Sequence, residues 1–298
     1  MAVPASRFLD PATLAALNDL ELLARTVVEG YLSGQHLLPQ AGFGVEFSQY
    51  RSYHPGDDLR RIDWKAFGRS DRFYIRESEV ERDVTVRFIL DATGSMAHDD
   101  GSLSKIDYGR MLVAALAYLA NRQGDRLRLH IVARDDCEDL RPGMKRPLAR
   151  VLLRLDSVEA AGGWPSFKGL EGHLVTGRAR ELVVVVSDLY DHEGAIDATV
   201  RNLRALGHEV MILQVMARNE LELDWQGDVE FEDLETGQRV AGNAALLRHS
   251  YLNSLREELE DWRQRLLELR VPHALVSTST PLEMALREFL LQRSRLPS

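Results

Sequence analysis

Five short runs of Val, Ile and Leu constrain the fold most. They fall at 84–90, 127–133, 182–187, 209–216 and 273–277, and helical segments separate them. Near-continuous apolar content marks strands buried on both faces, which requires helices on both sides of a parallel sheet. The intervening segments supply those helices. Residues 105–122 carry Ile106, Met111, Ala114, Ala115 and Leu119 at helical spacing, and further helices are expected near 147–157, 167–179 and 194–206. The alternation predicts an α/β fold, doubly wound around a mostly parallel sheet.

Other segments flank or interrupt this pattern. Leu14, Leu17, Leu20, Leu23 and Val27 step at helical spacing, so residues 1–40 read as an N-terminal helical segment. Over 41–83 aromatic and mixed-charge residues dominate. Strands at 44–50 and 72–78, with a turn at His54-Pro55-Gly56-Asp57-Asp58 between them, indicate a small inserted β module. The main α/β domain then spans 84–298, with an elaboration at about 217–270. There a hairpin over 229–240 turns at Thr236-Gly237, and a helix over 246–270 spaces Leu252, Leu255, Leu259, Trp262, Leu266 and Leu269 by threes and fours. So few heptads favour a helix packed on its own sheet over a partner-binding coiled coil.

Composition excludes several function classes. Lys and Arg number 37 against 46 Asp and Glu, a formal charge of −9, which disfavours binding to duplex nucleic acid. With Cys137 as the only cysteine, neither an intrachain disulfide nor a multi-cysteine zinc site can form. The first thirty residues lack the basic start and apolar run of a signal peptide. The longest strongly apolar stretch, Met111 to Ala120, is about half a membrane-spanning helix. The expectation is a cytoplasmic protein with no membrane insertion.

Ligands of open α/β sheets gather at the carboxyl ends of strands, where the strand order reverses. Asp91, Thr93 and Ser95 follow the strand at 84–90, and Asp188 follows the strand at 182–187. If those strands are neighbours, two carboxylates and two hydroxyls converge, a hard-oxygen set suited to Mg2+ or Mn2+. The plainer alternative is that Asp91 and Ser95 cap the helix that follows. His98, Asp99 and Asp100 read as a solvated loop, and His130 and His173 as isolated structural histidines in apolar surroundings.

The string Leu90-Asp91-Ala92-Thr93-Gly94-Ser95-Met96 resembles the D-x-[ST]-x-S signature of a von Willebrand factor A domain, which forms a metal-ion-dependent adhesion site. Upstream, Gly56-Asp57-Asp58-Leu59-Arg60-Arg61-Ile62-Asp63-Trp64-Lys65-Ala66-Phe67-Gly68-Arg69 resembles the hallmark of the bacterial family catalogued as domain of unknown function fifty-eight. Gly44-Val45-Glu46-Phe47, Lys105 to Tyr108, Gly124-Asp125-Arg126, Ser187-Asp188 and Asp233-Leu234-Glu235-Thr236-Gly237 extend the likeness over roughly residues 20 to 290. The resemblance implies a von Willebrand A-like fold and a non-enzymatic adaptor. Its implied partner is a MoxR-type AAA+ ATPase, beside which the family is usually encoded. It also implies metal ligation by Asp91, Thr93, Ser95 and Asp188. Many members carry membrane helices, which this sequence lacks.

The match departs at the second loop. Where the family presents Gly-Gly-Thr, this chain has Gly162-Gly163-Trp164, and Trp164 offers no oxygen. Either Ser166 reaches in instead, or the site binds metal weakly, or it has lost metal and Trp164 serves as an apolar contact for a partner. The hallmark itself has two readings. Asp57, Asp58, Arg60, Arg61, Asp63 and Arg69 can form a docking face with Trp64 as anchor. They can also pin the β module through internal salt bridges, which their interspersed signs favour.

An enzyme reading competes. Asp91-Ala92-Thr93-Gly94-Ser95 also resembles the D-K-T-G-T loop of aspartyl-phosphate ATPases and the haloacid dehalogenase superfamily. In that magnesium-dependent phosphoryl transfer Asp91 is the nucleophile, and Asp188 and Asp191 hold the ion. Thr93 stands where the phosphatases keep a general acid, and no nucleotide-binding domain follows. Neither a G-x-x-x-x-G-K-[ST] loop nor a G-x-S-x-G elbow occurs. A non-enzymatic interaction module is the leading expectation.

Overall fold

The computed structural model describes residues 10–15, 19–34, 50–52, 74–76, 84–141, 143, 145–175, 179–191 and 193–294. Strands β1 (Tyr50–Ser52) and β2 (Tyr74–Arg76) pair antiparallel, with Arg51 opposite Ile75. They touch the two strand segments expected in the β module. The hallmark residues Asp57, Asp58, Arg60, Arg61, Asp63, Trp64 and Arg69 lie outside the described residues.

Among the described residues the main sheet has six strands: β3 (Thr85–Asp91), β4 (Arg126–Ala133), β5 (Asp136–Leu140), β6 (Leu182–Ser187), β7 (Glu209–Met216) and β10 (His273–Ser277). Their order is β10-β7-β6-β3-β4-β5, and every neighbouring pair is parallel except β4 with β5. Side chains alternate across a strand, so each central strand feeds two cores. Phe88, Leu90, Val184 and Val186 face one side, with Leu112 of α3 (Lys105–Arg122) and Phe289 of α9 (Leu282–Ser294). Ile89, Val183 and Val185 face the other, with Val200 of α6 (Ala195–Ala205) and Trp262 of α8 (Ala244–Glu268). All six residues of β6 are buried, as their unbroken apolar run requires. The result is an α/β fold wound on both faces of a mostly parallel sheet.

Several details differ from expectation. β5 is an antiparallel edge strand whose sequence, Asp-Cys-Glu-Asp-Leu, is too polar to read as a strand; only Cys137 is buried in it. Helix α5 (Phe167–Leu174) stops well short of residue 179. The Leu174 carbonyl accepts a hydrogen bond from the buried Arg87 guanidinium at 2.6 Å, and Val175 leaves helical geometry. His130 is buried, as a structural histidine should be, but its surroundings are charged. It lies 3.6 Å from Asp139, which also pairs with Arg128. Helix α7 (Arg218–Glu222) and α9 were not expected.

The elaboration contains the hairpin β8 (Asp228–Glu232) and β9 (Arg239–Asn243), with Phe231 opposite Val240. It is followed by α8, which buries Trp262 and Leu266 against the sheet. No described helix is long and apolar enough to cross a membrane.

Candidate functional site

β3 and β6 are neighbours, and their crossovers lead to opposite edges of the sheet, so the order reverses between them. The carboxyl ends of both strands open into one crevice. At its floor the Ser187 hydroxyl donates to Asp91 Oδ2 at 2.5 Å, and the Thr93 amide donates to Asp91 Oδ1 at 2.9 Å. Burial first, and the neighbouring Asp188 carboxylate second, push the Asp91 carboxyl up to about 7 against the lowering effect of those hydrogen bonds. The Thr93 and Ser95 hydroxyls are 3.1 Å apart. Asp91, Thr93, Ser95 and Asp188 therefore gather around one strand-end crevice.

The loop is clasped by the second loop. Ala161 N–H donates to the Ala92 carbonyl at 2.9 Å, and Gly94 N–H donates to the Gly162 carbonyl at 2.7 Å. Gly162 has φ +69, and a Cβ there would strike the Arg134 backbone, so only glycine suits this close approach.

Sequence reasoning missed the residue that dominates the electrostatics. Lys105, the first residue of α3, is fully buried, with Nζ 2.8 Å from Asp188 Oδ2 and 2.7 Å from Glu220 Oε1. The Tyr190 ring lies under the ammonium, 4.7 Å from Nζ to the ring centre. The other oxygen of Glu220 accepts from Ala217 N–H at 2.8 Å, and Gln214 Nε2 donates to the Asp188 carbonyl at 3.0 Å. Burial acts to lower the Lys105 pKa, but Asp188 and Glu220 outweigh it and the net shift is upward, so the ammonium stays charged. In sequence, Lys105 was only part of a family match; its partners lie 83 and 115 residues away.

The elaboration covers the crevice. The Leu234 carbonyl rests on Gly94 so closely that an added methyl would collide with it. Beneath the hairpin is a cavity of about 240 Å³ lined by Ser95, His98, Lys105, Tyr190, Glu220 and the 232–235 segment. Trp225 stands edge-on to His98 and to Phe231, with ring centres 6.2 and 5.6 Å apart, and His98 Nε2 is 2.9 Å from Asn219 Oδ1. His98 is therefore a seat for the elaboration, a correction to its reading as solvated loop.

The remaining expected residues lie away from this centre. Trp164 Nε1 donates to Thr199 Oγ1 of α6 at 3.4 Å, and its ring packs on the core beneath that helix. Ser166 is exposed at the start of α5, and its hydroxyl makes no hydrogen bond to Asp91, Thr93 or Ser95. Asp191 accepts from the Ala195, Ile196 and Asp197 amides and so is used as the cap of α6.

A divalent cation does not fit this donor set. Asp91, Thr93 and Ser95 present oxygens, but Asp188 is held by an ammonium in a fully buried contact, and Trp164 is turned to α6. Among the described residues no three His, Cys, Asp or Glu side chains cluster to hold a metal. Mg2+ demands a near-octahedral oxygen shell, and here it would face a fixed buried cation.

The model of the family described as "Protein of unknown function DUF58" matches residues 49–261. Uncharacterized proteins of Mycobacterium tuberculosis and Mycobacterium bovis are 29% identical over 238 residues, 76% of this chain and 73% of theirs. Among solved structures, an aerotolerance-related membrane protein from Bacteroides fragilis is similar with a TM-score of 0.48 and 16% identity, covering 70% of this chain and 99% of that one. The SpRpn10 VWA domain gives 0.41 and 10%, covering 69% and 94%. The strand order and registers of the sheet establish the fold independently of these likenesses.

Proposed function

We propose that this chain, which belongs to the DUF58 family, is a non-enzymatic protein–protein interaction module that uses the crevice between β3 and β6, with its hairpin cover, as the recognition surface. The partner in this proposal is a MoxR-type AAA+ ATPase, as the family resemblance implies. The observation that carries the reading is that every candidate reactive group of the crevice is already committed within the chain. Both oxygens of Asp91 accept hydrogen bonds, and Lys105 bridges Asp188 and Glu220. A nucleophile must be free to attack, and a general acid must reach the leaving group. Asp191, the second magnesium carboxylate of the phosphoryl-transfer alternative, caps α6 instead.

What remains for a partner is the rim. Leu234 is exposed at the hairpin tip, beside Glu232, Asp233 and Glu235, next to the half-buried Ser95. An apolar contact ringed by acidic groups suits a partner loop that brings a basic side chain.

The test is direct binding of the full chain to the MoxR-type ATPase of its own organism, by sedimentation, with and without ATP. A complex lost in Leu234→Asp supports the reading. No complex in either state contradicts the named partner. Steady phosphate-ester or ATP turnover by the chain alone, abolished in Asp91→Asn, contradicts the non-enzymatic assignment.

A further inference from the structure

We propose that the Lys105 ammonium fills the place that a divalent cation holds in a metal-ion-dependent adhesion site, so that this crevice works without metal. The inference goes beyond the proposed function, because it concerns the composition of the site and holds whichever partner binds.

Geometry puts the ammonium on Asp188, one of the four expected metal ligands. The segment 98–104 folds back on itself, with Lys105 N–H donating to the His98 carbonyl at 2.9 Å and Asp99 bridged to Ser104. Helix α3 thus begins directly behind the Asp91 loop, capped by Ser104, whose hydroxyl accepts from the Asp107 amide. From that position Lys105 runs into the cavity that Ser95 also lines. It meets one carboxylate from the end of β6 and one from α7, with an aromatic face on a third side. Carboxylates from two separate elements are thereby drawn together around one positive charge, which is what a bound ion does in a metal centre.

The substitution is exclusive for a physical reason. A side chain rooted in a helix cannot exchange with ions from solution, and a second cation beside it would meet strong repulsion in a poorly polarisable interior. A divalent ion that takes Asp188 must therefore displace the ammonium, which has no exposed surface. The missing hydroxyl in the second loop fits this arrangement: with Asp188 already held by Lys105, Trp164 is free to pack on α6. A partner of this crevice has no coordination sphere to complete and need not bring an acidic side chain.

The test measures Mn2+ binding to the full chain by electron paramagnetic resonance, and the melting temperature with chelator or millimolar Mg2+. The unmodified protein is expected to show no saturable Mn2+ binding and no shift with either addition. Lys105→Met leaves Asp188 and Glu220 facing each other and is expected to show the saturable Mn2+ binding that the unmodified chain lacks. Saturable Mn2+ binding by the unmodified chain that is lost in Asp91→Asn overturns the proposal. So does a folded Lys105→Met protein that gains no Mn2+ binding. If Lys105→Met does not fold in buffer, refolding in millimolar Mn2+ decides: recovery supports the proposal, and continued failure overturns it.

Discussion

The hydroxyl of Ser187, the last residue of β6, donates to the carboxylate of Asp91, the last residue of β3, at 2.5 Å, with both side chains buried. The contact ties the two strands together at the point where the sheet order reverses. Ser187 Oγ also accepts from the Leu189 amide at 2.9 Å, which fixes its lone pair and aims its proton at Asp91. Ser187→Ala leaves a buried carboxylate oxygen without its donor. The expected loss is about 1.5–3 kcal/mol in denaturant unfolding, while Ser187→Thr, which keeps the hydroxyl, loses less.

Gly94 is pinned between the Gly162 carbonyl, which accepts its N–H, and the Leu234 carbonyl, which covers its Cα. Both neighbours are backbone, so neither can rotate away. Gly94→Val is expected to lift the hairpin while leaving the main sheet folded, seen as faster proteolysis between β8 and β9 with a stability loss of less than about 2 kcal/mol. Gly101, by contrast, has open space around its Cα but φ +86, so Gly101→Ala tests strain alone and should leave the hairpin protected.

The pH dependence of stability should carry the signature of His130. Burial pushes this histidine down to about 3; Asp139 opposes the shift, and Arg87 and Arg128 reinforce it. Above pH 6.5 neither folded nor unfolded chain protonates it, so it contributes nothing. As pH falls below 6.5 the unfolded chain takes up a proton that the folded chain refuses until about 3, and stability drops across that window. By pH 5 the loss is about 2 kcal/mol. His273, held down to about 4 chiefly by burial, acts in the same sense. The difference between wild type and His130→Gln isolates the first contribution: the variant should be less stable at pH 7.5 yet lose less stability between pH 7.5 and 5.

How much of this arrangement was legible depends on whether a residue's role is local. β6 reads directly from Leu-Val-Val-Val-Val-Ser because burial on both faces demands an unbroken apolar run. Asp91, Thr93, Ser95 and Asp188 could be placed at a crevice because strand ends and order reversal follow general rules. β5 was illegible because an antiparallel edge strand buries one side chain, Cys137, among acidic neighbours. Lys105 was illegible because a lysine opening a helix ordinarily faces solvent, and its two carboxylates arrive from distant parts of the chain. A usable signal was present: Lys105 precedes Ile106 and Tyr108 on a helix with a long buried face, immediately behind a strand-end loop. The hairpin turn at Thr236-Gly237 was readable, but its position over Gly94 was not, since that depends on where α7 and β7 deliver the chain.

Trp164 gives a simple discrimination. Its ring is half-buried against α6, with the indole N–H on Thr199. Trp164→Thr restores the hydroxyl of the family pattern in a location that faces another helix. The expected outcome in calorimetry is a stability loss of about 1–3 kcal/mol from lost packing and no gained Mg2+ binding. A gain of ion binding in this variant would return the second loop to the metal site.

The central claim is that the covered crevice between β3 and β6 is where a protein partner binds. Hydrogen–deuterium exchange of the full chain, alone and with the MoxR-type ATPase, tests this most directly. Protection is expected in the Asp91 loop at 93–98 and in the hairpin tip at 232–237, with Leu234→Asp removing both. Protection that instead falls only on the outer half of α8, with 93–98 and 232–237 unchanged, would contradict it.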